Sequence, residues 1–285
     1  MDFSKTIFEN RKAHQIPFLV SHRGVNAANI PCNTLAAYKI AVEQGADVVE
    51  IDVTKSKDGV FFVFHTGMEH VYLKSDKYIP EMTAEEIKAL PLVNQDGVPT
   101  SYRVPTLQEV FALLKGKAYI NVDKFWTDVA GITSEIYKAG VEKQVIVKTG
   151  VDEKSLDEVE KYAPELMFMT LAWHKDEVTD KLMERNVNFI GVEALFDSEN
   201  DEICSDEYLA SMHKRGLLVW SNAVVYNEKE VISARHTDDV SLTQSAENGW
   251  GWLVRKGFDF IQTDWLSALK QYLLACNGKS APYFN

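Results

Sequence analysis

Residues 18–53 read FLVSHRGVNAANIPCNTLAAYKIAVEQGADVVEIDV and carry the pattern of one strand–helix–strand unit. The apolar, β-branched runs at Phe18–Ser21 and Val48–Val53 are typical of buried strands. A segment of helical periodicity lies between them, preceded by Asn33-Thr34 and stopped by Gly45. Two such strands joined through a helix are the repeating unit of a parallel α/β sheet.

The same alternation of strand and helix continues to the end of the chain. Six more short apolar runs follow, at Ala118–Val122, Val145–Lys148, Leu166–Leu171, Asn188–Glu193, Leu217–Trp220 and Asp259–Gln262. Eight strands that are apolar nearly throughout, separated by helical segments, favour a closed parallel barrel over an open sheet with exposed edges. We therefore predict an α/β fold, a (β/α)8 TIM barrel, with residues 1–285 as one domain.

The segment at about 67–105 interrupts this alternation. It is rich in proline and turn residues and contains one short helical signal, at Thr83–Leu90. A segment of roughly forty residues with so little apolar periodicity does not sustain a hydrophobic core of its own. We therefore expect a small insertion in the barrel rather than a separate domain.

Composition and charge exclude several classes of protein. The 285 residues carry a formal net charge of −12, and a nucleic acid partner is not expected, since neutralising phosphates requires clustered lysine and arginine. The three cysteines are widely separated and indicate neither a disulfide framework nor a zinc site. No apolar run is long enough to span a membrane, and residues 1–20 lack the apolar core of a signal peptide. We expect a cytoplasmic protein, or a secreted one if an export signal has been removed.

Polar side chains stand at the ends of four predicted strands. In a barrel of this kind, catalytic side chains project from the carboxyl ends of the strands. The residues at these ends are His22 and Arg23, Glu50 and Asp52, Asp123 and Lys124, and Lys148. We expect them to meet at one mouth of the barrel.

Glu50 and Asp52 lie two residues apart in one strand, so both side chains point to the same face. Two adjacent buried carboxylates repel each other unless a cation or protons offset the repulsion. Their hard oxygen ligands favour Mg²⁺ or Ca²⁺. A salt bridge to a neighbouring lysine or arginine is the alternative, and the pair alone does not decide between the two.

An Asp58-Gly59 pair follows this strand, between two extended runs, and predicts a β-hairpin. If Asp58 and Gly59 are the two loop residues, Asp52 lies directly opposite His65. Opposed residues share a face of the sheet, so this register places an imidazole beside the two carboxylates. A one-residue bulge would change that outcome.

Two imidazoles beside a cation can catalyse the cleavage of a phosphodiester. One histidine accepts a proton and the other donates one, while the cation stabilises charge on the phosphoryl oxygens. His22 and His65 are the candidates, and Arg23 adds a planar donor for a phosphate oxygen. A salt bridge to Glu50 or Asp123 is the alternative for Arg23.

These residues occur in an order that resembles the glycerophosphodiester phosphodiesterase family. The matching segments are His22-Arg23-Gly24, Pro31-Cys32-Asn33-Thr34, Gly45-Ala46-Asp47, Glu50-Ile51-Asp52, Lys57-Asp58-Gly59 and His65. The closing segment, residues 257–264, is similar to the last strand of that family. The resemblance therefore extends over nearly the whole chain and implies the same barrel fold.

The resemblance also implies roles for the candidate residues. His22 and His65 would act as general acid and base. One divalent cation, Mg²⁺ or Ca²⁺, would be bound by three carboxylates: Glu50, Asp52 and Asp123. Arg23 would contact the substrate phosphate. The family's lysine lies two residues after its glutamate, whereas here Lys124 directly follows Asp123, so the second cationic contact is expected from Lys124 or Lys148.

The sequence departs from the family pattern at several positions. Cys32 and Thr66 stand where the family has carboxylates. Asp123 stands where the family usually has glutamate, and in having aspartate there the chain is similar to the related sphingomyelin-cleaving phospholipases. Further residues near predicted strand ends could line a pocket for the rest of the substrate, although packing in the core explains most of the tryptophans equally well. These residues are Glu193, Trp126, Trp173, Trp220 and Trp265.

We expect the chain to hydrolyse a small-molecule glycerophosphodiester to glycerol 3-phosphate and an alcohol. A lysophospholipase D-like or sphingomyelinase D-like activity on a lipid phosphodiester would use the same residues, and an apolar rim around the mouth would favour it. A catalytically silent protein that binds a phosphate ligand is a further alternative, since two customary carboxylates are missing. A barrel that serves only as a scaffold would have no tight divalent site.

Overall fold

The computed structural model describes residues 1–173, 178–225 and 229–277. The strands within these ranges are β1 (Phe18–Ser21), β2 (Val48–Lys55), β3 (Phe61–Val63), β4 (Tyr119–Asp123), β5 (Val145–Thr149), β6 (Met167–Ala172), β7 (Phe189–Ala194), β8 (Leu218–Asn222) and β9 (Phe260–Thr263). The α-helices are α1 (Ile7–Ala13), α2 (Leu35–Gln44), α3 (Glu69–Tyr72), α4 (Ala84–Ala89), α5 (Leu107–Leu114), α6 (Val129–Ala139), α7 (Glu153–Tyr162), α8 (Val178–Glu184), α9 (Asp206–Lys214), α10 (Asp238–Thr243), α11 (Trp250–Lys256) and α12 (Leu266–Cys276).

Eight parallel strands form a closed ring in the described part of the chain, in the order β1-β9-β8-β7-β6-β5-β4-β2. The ring closes because β1 pairs with both β9 and β2. This architecture confirms the predicted TIM barrel. Each of the eight predicted strands is present, and its ends differ from the prediction by at most two residues.

Side-chain alternation divides the interior of the barrel into an apolar lower layer and a polar upper layer. Val48, Glu50 and Asp52 are alternate residues of β2 and therefore point to the same side. Val48 packs in a buried cluster that fills the lower part of the barrel and includes Phe18, Tyr119, Ile146, Met169, Trp220 and Phe260. The carboxylates lie further along the strand, at its carboxyl end.

A β-bulge in β7 changes this alternation. Phe168 pairs with Phe189, but the next residue, Met169, pairs with Gly191, so one extra residue is inserted in β7. The bulge turns Glu193 toward the interior, beside the inward-facing residues of β6. A side chain at position 191 is excluded, because a Cβ there would lie 1.9 Å from the Leu218 carbonyl oxygen.

The predicted hairpin forms outside the ring, but the predicted two-residue loop is wrong. β3 pairs antiparallel to β2 with Val53 opposite Val63, and Ser56 N–H donates to Val60 O at 2.9 Å. The loop therefore contains residues 57–59, and Asp52 aligns with Phe64 rather than with His65, since Phe64 N–H donates to Asp52 O at 2.8 Å.

The reason for the longer loop is the conformation of its residues. A two-residue type I′ turn needs positive φ at both central residues, and Gly59 has φ 90° while Asp58 is not among the positive-φ residues described. The Asp58 carboxylate instead accepts hydrogen bonds from Ser56 Oγ at 2.7 Å and from Ala84 N at 2.9 Å. A turn closed by one left-handed glycine gives a three-residue loop.

The segment 67–105 contains α3, a short 3₁₀ turn at Ile79–Glu81, and α4. Its apolar side chains pack in a cluster with those of β3 and the residue after it: Phe62, Phe64, Leu73, Ile79, Met82, Ile87, Leu92 and Val104. The predicted helical signal corresponds to α4, which begins after the capping residue Thr83. Among the described residues, no helix combines the length and apolar character needed to cross a membrane.

We predict that Gly59→Ala lowers the free energy of unfolding by about 1–2 kcal/mol, the cost of placing a Cβ in the left-handed region. Space is not the cause, since the nearest atom to the added Cβ would be Lys55 Cε at 4.0 Å. Urea denaturation measures the change. Gly150→Ala is the matched control, because Gly150 has no positive φ and its added Cβ makes only ordinary contact. Equal losses in both variants would contradict the strained-turn explanation.

Candidate active site

A cavity of about 370 Å³ opens at the carboxyl ends of the barrel strands. Trp265 does not line it, whereas nine of the thirteen predicted site and pocket residues do: His22, Arg23, Glu50, His65, Asp123, Lys124, Glu193, Trp126 and Trp173. Asp52 is buried beside them and forms an ion pair with Arg23. Lys148 and Trp220 are fully buried in the barrel and do not line the cavity.

Three carboxylates converge at one side of this cavity. Each of Glu50, Asp52 and Asp123 offers an oxygen, and these oxygens lie within 4.8 Å of one another. Burial and the neighbouring Asp52 charge raise the pKa of Glu50 to about 8. The same two causes raise the pKa of Asp123. The site therefore holds more negative charge than its own surroundings neutralise.

Asp52 is the carboxylate whose negative charge is best stabilised by its neighbours. Burial by itself would raise its pKa, but the charges of Arg23 and His65 and a hydrogen bond from Asn33 lower it overall. Oδ2 accepts from Asn33 Nδ2 at 2.9 Å and lies 2.9 Å from Arg23 Nε, which is an ion pair without hydrogen-bond alignment. Oδ1 is buried and has no hydrogen-bond partner among the described residues. One oxygen of Asp52 is thus left for another ligand.

Asn33 holds Asp52 in place, a role that the sequence analysis missed. The Asn33 side chain donates to Asp52 and accepts from the buried Tyr38 hydroxyl at 2.6 Å, while its backbone N–H donates to Arg23 O at 2.9 Å. Asn33 has φ 55°, which asparagine tolerates better than most residues. Its position just before the cap of α2 was the available signal, but a cap-adjacent asparagine usually serves only the helix.

Arg23 links the first strand to two of the carboxylates. Its backbone N–H donates to Glu50 Oε2 at 2.9 Å, in a left-handed conformation with φ 56°. Burial disfavours the charged guanidinium, but the charges of Asp52 and Glu50 raise its pKa overall. Arg23 does form a salt bridge, but its partner is Asp52 and not Glu50 or Asp123, the two partners considered from the sequence.

His22 is oriented by a second residue that the sequence analysis did not single out. His22 Nδ1 lies 2.8 Å from Asp264 Oδ1, directly after β9. Burial by itself would lower the pKa of His22, but the hydrogen bond and charge of Asp264, with the charge of Glu50, raise it overall. The contact to Nδ1 leaves Nε2 available to the cavity.

His65 has the opposite electrostatic environment. It is half-buried, and its Nδ1 has no hydrogen-bond partner among the described residues. Burial lowers its pKa, and the positive charges of Arg23 and Lys124 add to this effect against the raising effect of Asp52. His65 lines the cavity because it follows the last paired residue of the hairpin, not because it lies opposite Asp52.

The floor of the cavity is formed by a cluster of polar side chains that packs on the ring of Trp220. Lys148 Nζ forms a short ion pair with Glu193 Oε2 and lies 3.2 Å from the centroid of the Trp220 ring. Asn222 Nδ2 donates to the other Glu193 oxygen at 2.8 Å. Lys148 is therefore already paired. Its position indicates that it holds Glu193 in place, rather than contacting the phosphate as predicted.

The rim of the cavity combines a lysine with apolar side chains. Lys124 Nζ lies 3.4 Å from Asp123 Oδ2 and 5.5 Å from the Trp126 ring centroid. Trp126 and Trp173 line the opening and are partly exposed. The opposite wall is apolar, with Leu171, Leu195, Val224 and Ile232.

The two positions that lack the customary carboxylates have local partners. Thr66 Oγ1 donates to Thr54 Oγ1 at 2.9 Å. Cys32 is half-buried near Arg23 and Tyr72, and desolvation raises the pKa of its thiol to about 11. Neither residue lines the cavity.

Comparisons with a family model and with known proteins all indicate the same family. Residues 22–264 match the model of the glycerophosphoryl diester phosphodiesterase family. A glycerophosphodiester phosphodiesterase from Caldanaerobacter subterraneus is 34% identical over 156 residues, which cover 52% of this chain and 63% of that protein. A glycerophosphodiester phosphodiesterase from Bacillus altitudinis is 25% identical over 256 residues, 86% of this chain and 94% of that protein.

The matched segment covers 39% to 63% of the length of the first three curated relatives.

The barrel also superimposes on solved structures. A glycerophosphoryl diester phosphodiesterase from Parabacteroides distasonis superimposes with a TM-score of 0.77 at 20% identity, covering 96% of this chain and 93% of that one. A phosphodiesterase from Oleispira antarctica, solved with the product sn-glycerol-3-phosphate, gives a TM-score of 0.67 at 17% identity over 90% and 96% of the two chains.

We predict that Glu50→Gln stabilises the protein at pH 8 in buffer that contains a chelator. The folded-state pKa of Glu50, about 8, exceeds its ordinary value of 4.5, so the native protein binds more protons than the unfolded chain between these values. Stability therefore falls as the pH rises through this interval, and glutamine avoids that loss while keeping an acceptor for Arg23 N–H.

The measurement is the Tm of both proteins as a function of pH. Because Glu50 is protonated in the folded protein at low pH, the gain should disappear near its ordinary pKa of 4.5. A Glu50→Gln variant with a lower Tm than the parent protein at pH 8 would contradict the proposed repulsion.

Proposed function

This chain belongs to the glycerophosphoryl diester phosphodiesterase family, and we propose that it hydrolyses a glycerophosphodiester to glycerol 3-phosphate and an alcohol. The observation that carries the proposal is the placement of His22 and His65 at one cavity beside three carboxylates, of which Glu50 and Asp52 are buried and Asp123 is partly buried. The Oleispira phosphodiesterase, whose product is sn-glycerol-3-phosphate, supports the choice of product.

The carboxylates fit one divalent cation. The buried Asp52 Oδ1 lacks a hydrogen-bond partner among the described residues, and the ion pairs of the three carboxylates are one from Arg23 to Asp52 and one, at 3.4 Å, from Lys124 to Asp123. Glu50, Asp52 and Asp123 would hold the ion, and oxygen ligands of this kind suit Mg²⁺ or Ca²⁺. When bound, the cation would stabilise negative charge on the phosphoryl oxygens.

The two histidines divide the proton transfers between them. His65, whose lowered pKa favours the neutral imidazole, accepts a proton from the attacking oxygen as the new P–O bond forms. His22, with its raised pKa, keeps its proton and donates it to the alcohol oxygen as the old P–O bond breaks. The opposite directions of the two pKa shifts support His65 as the base and His22 as the acid, roles that the sequence left open.

The substrate phosphate would be oriented by the cationic side chains at the cavity. Arg23 and Lys124 line the cavity on the side of the carboxylates. A guanidinium can donate two parallel hydrogen bonds to a phosphate, and the Lys124 ammonium adds a charge at the rim. Glu193 and Asn222, on the floor, offer polar contacts to the glycerol hydroxyls.

The apolar rim favours a second candidate function, hydrolysis of a lipid phosphodiester by a lysophospholipase D-like or sphingomyelinase D-like reaction. Trp126 and Trp173 are exposed at the opening, and the wall of Leu171, Leu195, Val224 and Ile232 could accommodate an acyl chain. Both functions use the same histidines and carboxylates. Lysophospholipids therefore belong in the same substrate screen, and a clear preference for them would favour this function.

We predict that hydrolysis of glycerophosphocholine, glycerophosphoethanolamine or glycerophosphoglycerol stops when a chelator is added and returns with Mg²⁺ or Ca²⁺. Asp123→Asn should require a higher concentration of the cation, because one charged ligand is lost. The cation should also raise the Tm of the parent protein more than that of Asp123→Asn. Full turnover by metal-stripped protein would overturn the cation site, and a cation-dependent Tm without turnover of any diester would indicate a silent binding protein.

We predict that His22→Ala and His65→Ala each lower kcat for glycerophosphocholine by about 10²-fold or more, the scale of a lost proton-transfer group. A p-nitrophenyl phosphodiester separates their roles, because its leaving group needs no proton. On that substrate His22→Ala should recover most of its activity and His65→Ala should not. His70→Ala is the matched control, since the His70 side chain is 84% exposed and lies outside the cavity. The reverse pattern would exchange the two roles.

A further inference from the structure

Asp238 is a buried carboxylate that the proposed reaction does not use. It is the first residue of α10, is 2% exposed, and lies next to the end of β9. Its backbone N–H donates to Ala223 O at 2.7 Å, just after β8. The residue therefore connects the ends of two barrel strands at the face where the cavity opens.

Both carboxylate oxygens of Asp238 accept hydrogen bonds. Oδ1 accepts from Trp250 Nε1 at 2.7 Å and from Thr263 Oγ1 at 2.7 Å. Oδ2 accepts from the backbone N–H of Asp264 at 2.8 Å. The Thr263 hydroxyl also accepts from Trp265 N–H at 2.9 Å, so the whole turn from 263 to 265 is attached to one carboxylate.

That turn carries the partner of His22. Asp264 Oδ1 contacts His22 Nδ1 at 2.8 Å, although the Asp264 side chain is 41% exposed and has little packing of its own to fix it. The backbone of Asp264 is fixed instead by Asp238. A displacement of this turn would misalign the imidazole, and a displacement of about 1 Å can cost about 10²-fold in rate.

We propose that Asp238 is a positioning residue, which holds the turn from Thr263 to Trp265 so that the Asp264 carboxylate meets His22 Nδ1. Its catalytic consequence rests on the proposed hydrolysis, in which His22 transfers a proton.

The chemistry of the three donors explains why a carboxylate occupies this position. An indole N–H, a hydroxyl and a backbone N–H all donate, so the site requires an acceptor at both oxygens. Asparagine would present an NH₂ group to at least one donor. Burial raises the pKa of Asp238 to about 7, against the lowering effect of these hydrogen bonds. A buried carboxylate therefore costs free energy here that an apolar side chain of the same size would not.

The test compares Asp238→Asn, which removes a carboxylate bonded to the end of β9, with a matched control just before the start of β9, Asp259→Asn. Asp259 is also buried and accepts from a backbone N–H, that of Val219 at 2.9 Å, but it lies at the start of β9, away from the cavity. Both variants should lose stability. Asp238→Asn should also lower kcat for glycerophosphocholine by roughly tenfold to 10²-fold with little change in KM, whereas Asp259→Asn should keep kcat.

A readout independent of activity is the downfield NMR resonance of the His22 Nδ1 proton, assigned by its loss in His22→Gln and Asp264→Asn. We expect Asp238→Asn to shift or lose this resonance and Asp259→Asn to keep it. If Asp238→Asn does not fold, Thr263→Val, which removes one hydroxyl, should give a smaller change of the same kind. A folded Asp238→Asn or Thr263→Val with unchanged kcat and resonance would overturn the proposal. A protein without turnover but with the predicted resonance changes would keep the positioning and overturn the proposed function alone.

Discussion

Electrostatic repulsion among Glu50, Asp52 and Asp123 is the constraint on which the rest of the site depends. Three carboxylates whose oxygens lie within 4.8 Å of one another cannot all be ionised at low cost in a buried environment. Arg23 offsets part of this charge through Asp52, and Asn33 stabilises the same group by hydrogen bonding. The remaining negative charge is what makes the cavity a place for a cation and, beside it, for a phosphate.

The barrel makes this arrangement possible by separating packing from chemistry along each strand. The lower residues of β1, β2, β8 and β9 fill the interior with apolar and aromatic side chains, which supply the burial that stabilises the fold. The upper residues of the same strands and the loops after them carry the polar groups. Because the apolar packing below the site stabilises the closed ring, the polar side chains can repel one another without opening the barrel.

Much of this could be predicted from the sequence. The eight ring strands follow from local apolar patterns, and the convergence of His22, Glu50 and Asp123 follows from the parallel direction of the strands. The features that could not be predicted depend on contacts distant in sequence. Asp238 and Asp264 meet only because β8 and β9 end side by side, and Lys148 is paired with Glu193 because a bulge turns that glutamate inward. The hairpin register also depends on such a contact, since the Asp58 carboxylate accepts from the backbone N–H of Ala84, 26 residues later, and Asp58 does not adopt the left-handed conformation.

The bulge at Gly191 also has a consequence for how this barrel tolerates change over evolutionary time. Insertion of one residue reverses the facing of everything that follows in β7, so Glu193 owes its direction to a position two residues earlier. Since a Cβ at 191 would overlap the Leu218 carbonyl oxygen, no side chain can be accepted there while the bulge persists. A chain that lost this glycine would have to rebuild the floor of the cavity from residues that now face the helices, so positions 191 and 193 are expected to change together or not at all.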